Sequence, residues 1–184
     1  MSDVGEPSLL HRRLIHQGQE LRITLDRVRL PNGHELELEM VHHPGAAAVV
    51  PFVSDDEVLL VRQYRWAASQ WIYEIPAGKL RPGEAPEACA ARELEEEVGH
   101  RAGRLERLGD IWTAPGFTDE TIALFAAREL TPVAQALEPD EVLEVERVPL
   151  ARALDLARDG RLRDAKSLCA LFHVLLRARE QRIE

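Results

Sequence analysis

The segment from Gly78 to Gly99 limits the possible folds of this chain more than any other feature. It joins a glycine-containing loop to the strongest helical pattern in the sequence, residues 85–98. Pro86 suits the first turn of a helix, and Gly99 suits the position at which a helix stops. We therefore predict one well-bounded helix that begins directly after a glycine loop.

Three glutamates of this predicted helix share one face. Glu96 and Glu97 follow Glu93 by three and four residues, so the carboxylates of all three project together. Like charges at this spacing cost about 0.2–0.5 kcal/mol per pair, which folding alone does not require. Mg²⁺ removes the repulsion, because it is a hard cation that favours carboxylate oxygen and also bridges to phosphate. Arg92 can pair with Glu96, and Glu84 can steady Arg92 or hold a bound water.

Composition bounds the classes of protein to which the chain can belong. Its 184 residues are enough for one domain with a sizeable core, and 45% hydrophobic with 30% charged residues is typical of globular proteins. The formal net charge of -9 disfavours binding to nucleic acid or to anionic membrane surfaces. An acidic protein that binds an acidic substrate needs a metal ion or a local arginine cluster.

Targeting signals and cysteine usage limit the cellular compartments in which we expect to find the protein. No apolar run approaches the roughly 20 residues that span a bilayer, and residues 1–6 lack the basic and apolar regions of a signal peptide. Cys89 and Cys169 form neither a metal-binding pair nor a disulfide framework. We therefore expect a cytoplasmic protein with neither nucleic acid nor a membrane as partner.

Most of the remaining pattern predicts strands. Apolar and polar residues alternate on both sides of a turn sequence at residues 31–33, which predicts a β-hairpin over residues 20–41. Residues 1–18 are polar without periodicity, and we interpret them as a partly ordered arm. Further strands are expected at residues 46–53, 58–61, 105–113, 121–127 and 141–147, and further helices near residues 150–158 and 164–180.

The order of these elements predicts the fold class. Strands outnumber helices and interleave with them irregularly, which favours an α/β fold with a mixed sheet and helices on its faces. We divide the chain into residues 1–42, the arm and hairpin, and residues 43–184, the main domain. A lone hairpin is marginal in water, so it should pack on its own domain or on a second subunit.

The register of residues 78–99 resembles the signature of the Nudix hydrolases. That signature runs glycine, five residues, glutamate, seven residues, arginine-glutamate, an aliphatic residue, any residue, two glutamates, any residue, glycine and an aliphatic residue. Only His100 departs from it. The resemblance implies a Nudix-type α/β/α sandwich that hydrolyses a nucleoside diphosphate linked to another group, with Mg²⁺ as cofactor and Mn²⁺ able to substitute. A glutamate can also be plain solvated surface, which is how we interpret Glu95.

The same resemblance implies roles for individual residues. Glu93 and Glu97 would be the main metal ligands, with Glu96 assisting. The carbonyl oxygen of Ala77 would be a further ligand in the ADP-ribose branch of the family, and Arg92 would orient Glu93.

Segments outside the signature resemble the ADP-ribose pyrophosphatase branch, and together they cover roughly residues 20 to 175. They are residues 43–46, 61–65, 74–78, 114–120 and 163–166. The marker of this branch is a proline sixteen residues after the last signature glycine, and Pro115 lies sixteen residues after Gly99. The resemblance implies ADP-ribose as substrate, a substrate loop that includes Pro115, Gly116 and Phe117, and a homodimer formed through the hairpin.

Three more residues are candidates for the site. Arg65 resembles the arginine with which this branch holds phosphate or ribose, although it could be a surface arginine at a strand end. Glu84 belongs to the substrate side of the signature loop. Glu141, in an acidic loop before a late strand, occupies the place of the general base, although such a loop can also be solvated surface.

One departure keeps other functions open. Residues 1–51 contain no Phe, Tyr or Trp, whereas this branch stacks adenine on aromatic residues of its N-terminal region. A broader hydrolase of nucleotide sugars such as ADP-glucose or GDP-mannose is therefore an alternative. A Nudix-like binding domain without catalysis is disfavoured by the intact signature glutamates. A plain acidic cation-binding protein would not explain why Pro115 and Arg65 occur together.

Overall fold

The computed structural model of the protein describes residues 5–139 and 141–180. Within them the chain forms ten strands, three α-helices and one short 3₁₀ turn, Trp66–Ala68. Two compact units are present, namely Met1–Pro44 with Trp112–Thr121, and Gly45–Ile111 with Ile122–Glu184. Our division of the chain after residue 42 stays a prediction.

The first unit contains an antiparallel sheet of order β1-β2-β3. Its strands are β1 (Ser8–Gln17), β2 (Arg22–Arg29) and β3 (Glu35–His42). Gly33 takes a φ of 83° in the turn between β2 and β3, a conformation that suits glycine. The predicted hairpin over residues 20–41 is therefore confirmed.

Strand β1 differs from the expected arm. Over Ser8–Gln17 the chain is not a partly ordered arm but a strand that pairs antiparallel with β2. All ten of its residues are exposed, so no alternation of polar and apolar residues marks it in the sequence. Hydrogen bonds to β2 hold it, together with Arg12, whose Nε donates to the buried Asp26 at 2.9 Å. Residues 1–4 of the expected arm lie outside the described residues.

The second unit contains two sheets. In the four-stranded sheet, of order β7-β4-β9-β8, strand β4 is parallel to β9 and antiparallel to β7, so the sheet is mixed as predicted. The other sheet is antiparallel, with order β10-β5-β6. The strands are β4 (Ala46–Pro51), β5 (Glu57–Arg65), β6 (Gln70–Glu74), β7 (Ala77–Lys79), β8 (His100–Trp112), β9 (Thr121–Pro132) and β10 (Leu143–Pro149).

Helices pack on both faces of the four-stranded sheet. They are α1 (Pro86–Val98), α2 (Leu150–Arg158) and α3 (Ala165–Glu180). Because side chains alternate along a strand, Ala48 and Val50 of β4 pack in the core with α2 and α3, whereas Ala47 and Val49 pack with α1. This arrangement is an α/β/α sandwich and confirms the predicted fold class. Among the described residues, no helix is long and apolar enough to cross a membrane.

Candidate active site

Helix α1 begins and ends close to where its sequence predicts. Pro86 occupies the first turn, and Gly99 ends the helix with a left-handed φ of 64°. The buried side chains Cys89, Ala90 and Leu94 form the face that packs against the sheet. The helix is thereby anchored, which fixes the direction in which its glutamates project.

Three carboxylates meet beside this helix. Ligand oxygens of Glu93, Glu97 and Glu141 all lie within 4.8 Å of one another. Glu93 is 5% exposed and Glu97 3% exposed, whereas Glu141 is half-buried in the loop before β10. Buried like charges repel strongly in a low dielectric, and hard divalent cations favour carboxylate oxygen. This donor set, which we call the carboxylate cluster, therefore fits a divalent cation such as Mg²⁺.

Strand β7 approaches α1 so closely that no side chain fits at Gly78. A Cβ atom there would lie 1.8 Å from Oε1 of Glu93 and 2.1 Å from its carboxyl carbon. The preceding residue, Ala77, donates its backbone N–H to Oε2 of Glu97 at 3.2 Å. The strand thus helps to position two carboxylates of the cluster. The role of the Ala77 carbonyl as a metal ligand stays a prediction.

Arg92 connects several carboxylates of the signature. Its guanidinium donates to Glu84 at 2.8 and 3.0 Å, to Glu93 at 2.5 Å and to Glu96 at 2.8 Å. The hydrogen bond from Arg92 lowers the pKa of Glu84 to about 2. Arg81 donates to the other oxygen of Glu96 at 3.3 Å. Arg92 therefore holds Glu93, whereas Glu96 lies with the two arginines, and its role as an assisting ligand stays a prediction.

The electrostatics of the carboxylate cluster oppose its charged form. Burial raises the pKa of Glu97 to about 8, and the charges of Glu93 and Glu141 add to the shift. Burial is also the largest cause of the raised pKa of Glu93. A bound cation reverses this tendency because it favours the carboxylate form. Raised pKa values in buried carboxylates are typical of functional sites rather than of solvated helix faces.

Arg65, at the end of β5, forms a fork-shaped ion pair with Glu74, at the end of β6. Nε of Arg65 lies 2.9 Å from Oε1 of Glu74, and Nη2 lies 2.6 Å from Oε2. The Glu74 side chain is only 4% exposed. Burial acts to raise the pKa of Glu74, but Arg65 and Lys166 outweigh it and lower that pKa. In the part of the chain that the structure describes, Nη1 of Arg65 makes no hydrogen bond and is available to an anion.

Lys166 is a candidate that the sequence analysis did not single out. Its side chain is 11% exposed, and its Nζ lies 3.1 Å from Glu74 and 3.0 Å from Asp164. Asp164 also accepts a hydrogen bond from the backbone N–H of Ser167 at the start of α3. The only signal in the sequence was the resemblance of residues 163–166 as a whole, which does not show what the lysine contacts.

The expected substrate loop belongs to the first unit, whereas the carboxylate cluster, Arg65 and Lys166 belong to the second. Pro115, Gly116 and Phe117 are exposed. The backbone oxygen of Phe117 accepts a hydrogen bond from the backbone N–H of Val41 at 2.8 Å. The backbone N–H of Phe117 donates to the backbone oxygen of Ala114 at 3.1 Å. The loop is therefore tied to the end of β3. The substrate-binding roles of these three residues stay predictions.

The chain matches known proteins over most of its length. A family model described as the NUDIX domain matches residues 41–171. An ADP-ribose pyrophosphatase of Bacillus subtilis (strain 168) is 38% identical over 174 residues, which cover 94% of each chain. A methanol dehydrogenase activator of Bacillus methanolicus is 36% identical over 178 residues, which cover 96% of each chain.

A more distant relative and a solved structure are also similar to this chain. A GDP-mannose pyrophosphatase of Cronobacter sakazakii is 35% identical over 144 residues, which cover 72% of this chain and 74% of the relative. A crystal structure of an ADP compounds hydrolase superposes with a TM-score of 0.84 at 26% identity, covering 96% of both chains. The match to the family model, over residues 41–171, includes all three members of the carboxylate cluster.

Proposed function

Because this chain belongs to the Nudix family of hydrolases, we propose that it hydrolyses the pyrophosphate bond of ADP-ribose to AMP and ribose 5-phosphate. The observation that carries the proposal is the meeting of Glu93, Glu97 and Glu141 within 4.8 Å. A relative that is 38% identical over 94% of the chain is an ADP-ribose pyrophosphatase, which supports this substrate.

Two members of the carboxylate cluster, Glu93 and Glu97, would supply the main ligands for a divalent cation. We assign Mg²⁺ to Glu93 and Glu97, with Glu96 and the Ala77 carbonyl as further ligands and with Mn²⁺ able to substitute. When bound there, the cation would supply neutralisation of charge on the phosphoryl oxygens and a more acidic attacking water. Gly78 and Arg92 contribute by holding Glu93 in the orientation that the cluster requires.

Glu141 is our candidate for the group that accepts the proton of the attacking water. Its carboxylate lies with those of Glu93 and Glu97, yet it is half-buried and comes from a loop rather than from α1. The loop is held locally, because Glu138 N–H donates to Oε2 of Glu141 at 2.8 Å. A general base must lie within hydrogen-bond reach of the proton that it removes, and Glu141 lies beside the two proposed metal ligands Glu93 and Glu97.

Arg65 is our candidate for holding the diphosphate. Glu74 binds its Nε and Nη2 edge, which orients the planar guanidinium and leaves Nη1 for a phosphate oxygen. Lys166 forms an ion pair with Glu74 as well, so the Glu74 carboxylate is not neutralised by Arg65 alone. We therefore propose Lys166 as a positioning residue for Arg65. The proposed substrate loop at Pro115, Gly116 and Phe117 rests on its spacing from Gly99.

A broader hydrolase of nucleoside diphosphate sugars is the second candidate function. It is favoured by the absence of Phe, Tyr and Trp from residues 1–51, which removes the expected platforms for adenine. A relative that is 35% identical over 144 residues is a GDP-mannose pyrophosphatase, which supports the same alternative. A domain that binds without catalysis has less support, because the carboxylate cluster is assembled.

A substrate panel tests the proposal. ADP-ribose, ADP-glucose, GDP-mannose, UDP-glucose and NADH are each incubated with enzyme and Mg²⁺, and phosphate is measured after treatment with alkaline phosphatase. We expect ADP-ribose to lead by about tenfold or more in kcat/KM, and EDTA to abolish turnover. Equal rates with several nucleotide sugars would establish the second candidate, and no turnover with any of them would reject both.

We also propose that the protein is a homodimer. Strand β1 exposes the apolar side chains of Leu9, Leu10, Leu14 and Ile15 by 39% to 54%, and a second subunit would cover them. Light scattering after size-exclusion chromatography should give twice the mass of 20.7 kDa. Leu14→Lys should shift the protein toward the monomer, and an unchanged mass would reject this surface as the interface.

A reducing cytoplasm is our proposed location. Cys89 and Cys169 are both free thiols. Burial raises the pKa of Cys89 to about 12, so its thiolate is scarce and its thiol is inert. Fractionation of cells with an antibody to the chain would test the assignment.

A further inference from the structure

A cavity of about 260 Å³ lies within the second unit, apart from the carboxylate cluster. Its floor includes Leu108, Ala126 and Val174, which belong to the core that α2 and α3 cover. Helix α1, which carries Glu93 and Glu97, packs in the other core, on the opposite face of the four-stranded sheet. The cavity is therefore separated from the carboxylate cluster by the sheet itself.

Three arginines from three different elements line this cavity. They are Arg104 of β8, Arg128 of β9 and Arg177 of α3. Two carboxylates, Asp55 and Glu106, accompany them, so one positive charge is left over in a protein whose net charge is -9. A local excess of arginine in an acidic protein marks a place where an anion can bind.

The ion pairs already present leave the arginines available. The Arg104 side chain makes no hydrogen bond or ion pair anywhere in residues 5–139 and 141–180. Arg128 lies 3.3 Å from Asp55, whose side chain is fully exposed, and such pairs contribute little. Arg177 is held more firmly, by Glu106 and by the backbone oxygen of Arg107. An incoming anion would therefore gain two arginines without breaking a buried pair.

The side chains that line the cavity indicate what kind of anion fits it. The Arg128 guanidinium lies 4.1 Å from the centre of the buried Phe52 ring, which fixes its plane over an apolar surface. Drug-sized ligands occupy pockets of roughly 300–1,000 Å³, so this cavity suits a ligand smaller than a nucleotide sugar. Guanidinium groups carried by three separate elements match the several oxygens of a phosphate better than the single plane of a carboxylate.

We propose that this cavity, which we call the arginine cavity (Arg104, Arg128 and Arg177 with its apolar floor), binds a small phosphate-bearing anion. Free phosphate and a small phosphomonoester share the chemistry that the arginines recognise. The apolar floor distinguishes the two, because only a phosphomonoester has a body to place on it. The arginine cavity and the carboxylate cluster are separate sites, since they share no residue.

Isothermal titration calorimetry at fixed ionic strength and in EDTA tests this proposal. Inorganic phosphate and ribose 5-phosphate are titrated separately into the wild-type chain and its variants. We expect saturable binding of one ligand per chain, and at least tenfold weaker binding in Arg104→Gln and in Arg128→Gln. Tighter binding of ribose 5-phosphate would identify the ligand as a phosphomonoester, and equal binding would identify it as phosphate.

Matched variants separate the arginine cavity from other anion sites. Arg161→Gln removes the same charge from an exposed arginine outside the cavity, and Glu97→Gln alters the carboxylate cluster. Both should bind within twofold of wild type. Because the Arg104 side chain has no hydrogen-bond or ion-pair partner to lose, Arg104→Gln should keep the wild-type melting temperature. Arg104→Gln is therefore the variant that decides the test. Binding that is not saturable, that survives Arg104→Gln, or that disappears only in Glu97→Gln would overturn the proposal.

Discussion

Gly78 and Glu93 occupy complementary space, since a Cβ atom on the glycine would lie 1.8 Å from Oε1 of the glutamate. The glutamate is 5% exposed and also accepts a hydrogen bond from Arg92 at 2.5 Å. Its carboxylate therefore has little freedom to move away. The first glycine of the signature thus acts by leaving space for the Glu93 carboxylate rather than by adopting an unusual backbone conformation.

Gly78→Ala should reduce turnover of ADP-ribose by more than about 100-fold, because it would displace Glu93, a proposed metal ligand, and displacing a ligand costs more than losing a group that only supports one. It should also destabilise the fold by about 1–3 kcal/mol, the usual penalty for inserting a methyl group where no space exists. Steady-state kinetics and urea unfolding measure the two effects. Gly5→Ala, where a Cβ atom meets nothing within 4 Å, is the control. Normal turnover in Gly78→Ala would show that Glu93 does not need its present position.

Glu97→Gln should lower kcat by more than about 100-fold while the chain still folds, because the amide keeps the shape of the side chain but is a poor metal ligand. Circular dichroism reports folding, and calorimetric titration with Mg²⁺ reports metal binding. Glu95→Gln is a matched control on the same helix, since Glu95 pairs with the exposed Arg101 outside the carboxylate cluster. Equal kcat in the two variants would remove Glu97 from the metal site.

The stability of the metal-free protein should fall as the pH rises. The pKa of Glu97 is raised from its ordinary 4.5 to about 8, so the folded state binds this proton more tightly than the unfolded state does. The contribution of Glu97 to stability is complete below the pKa that this carboxyl has in the unfolded state. It is lost as the pH rises through the pKa that the carboxyl has in the folded state. The melting temperature in EDTA should therefore be lower at about pH 9 than at about pH 6.

Two comparisons isolate the contribution of Glu97 to this pH dependence. Glu97→Gln cannot titrate at this position, so its melting temperature should depend less on pH than that of the wild type. Mg²⁺ should restore the wild-type melting temperature at the higher pH, because the cation takes the place of the proton. If the melting temperatures of the wild type and of Glu97→Gln fall equally between the two pH values, Glu97 is not the source of the pH dependence.

Local signals were sufficient to predict the part of the site that α1 carries. Pro86 and Gly99 bound the helix within one residue of the expected limits, and helical spacing placed Glu93 and Glu97 on one face. Glu141 is different, because it lies far along the chain and no spacing rule connects it to α1. Only the resemblance to a family named it, and the structure then places its carboxylate with the other two.

Contacts that depend on tertiary packing could not be predicted in the same way. The pairing of Lys166 with Glu74 joins α3 to β6, and neither residue carries a pattern that names the other. Strand β1 escaped prediction for another reason, since its exposure on both faces leaves no periodicity to detect. Patterns of polarity report burial, and they fail where hydrogen bonds or buried ion pairs determine the structure.

Lys166→Met should destabilise the chain by about 1–3 kcal/mol, because it removes one of the two cations that pair with the buried Glu74. The remaining partner of Glu74 is Arg65, so Arg65 should be held more tightly and bind substrate less well. We expect a higher KM for ADP-ribose in addition to the loss of stability measured by urea unfolding. A loss of stability with an unchanged KM would reduce Lys166 to a purely structural residue.

Arg65→Lys should raise KM for ADP-ribose by about tenfold and change kcat less, because lysine keeps the charge but cannot bind Glu74 and a phosphate oxygen through separate nitrogens. Arg62→Lys is the matched control, since Arg62 lies on the same strand and pairs with the exposed Glu144. Its KM should stay within twofold of wild type. If the two variants raise KM equally, the effect comes from the positive charge of β5 in general, and the specific grip of Arg65 on the diphosphate is refuted.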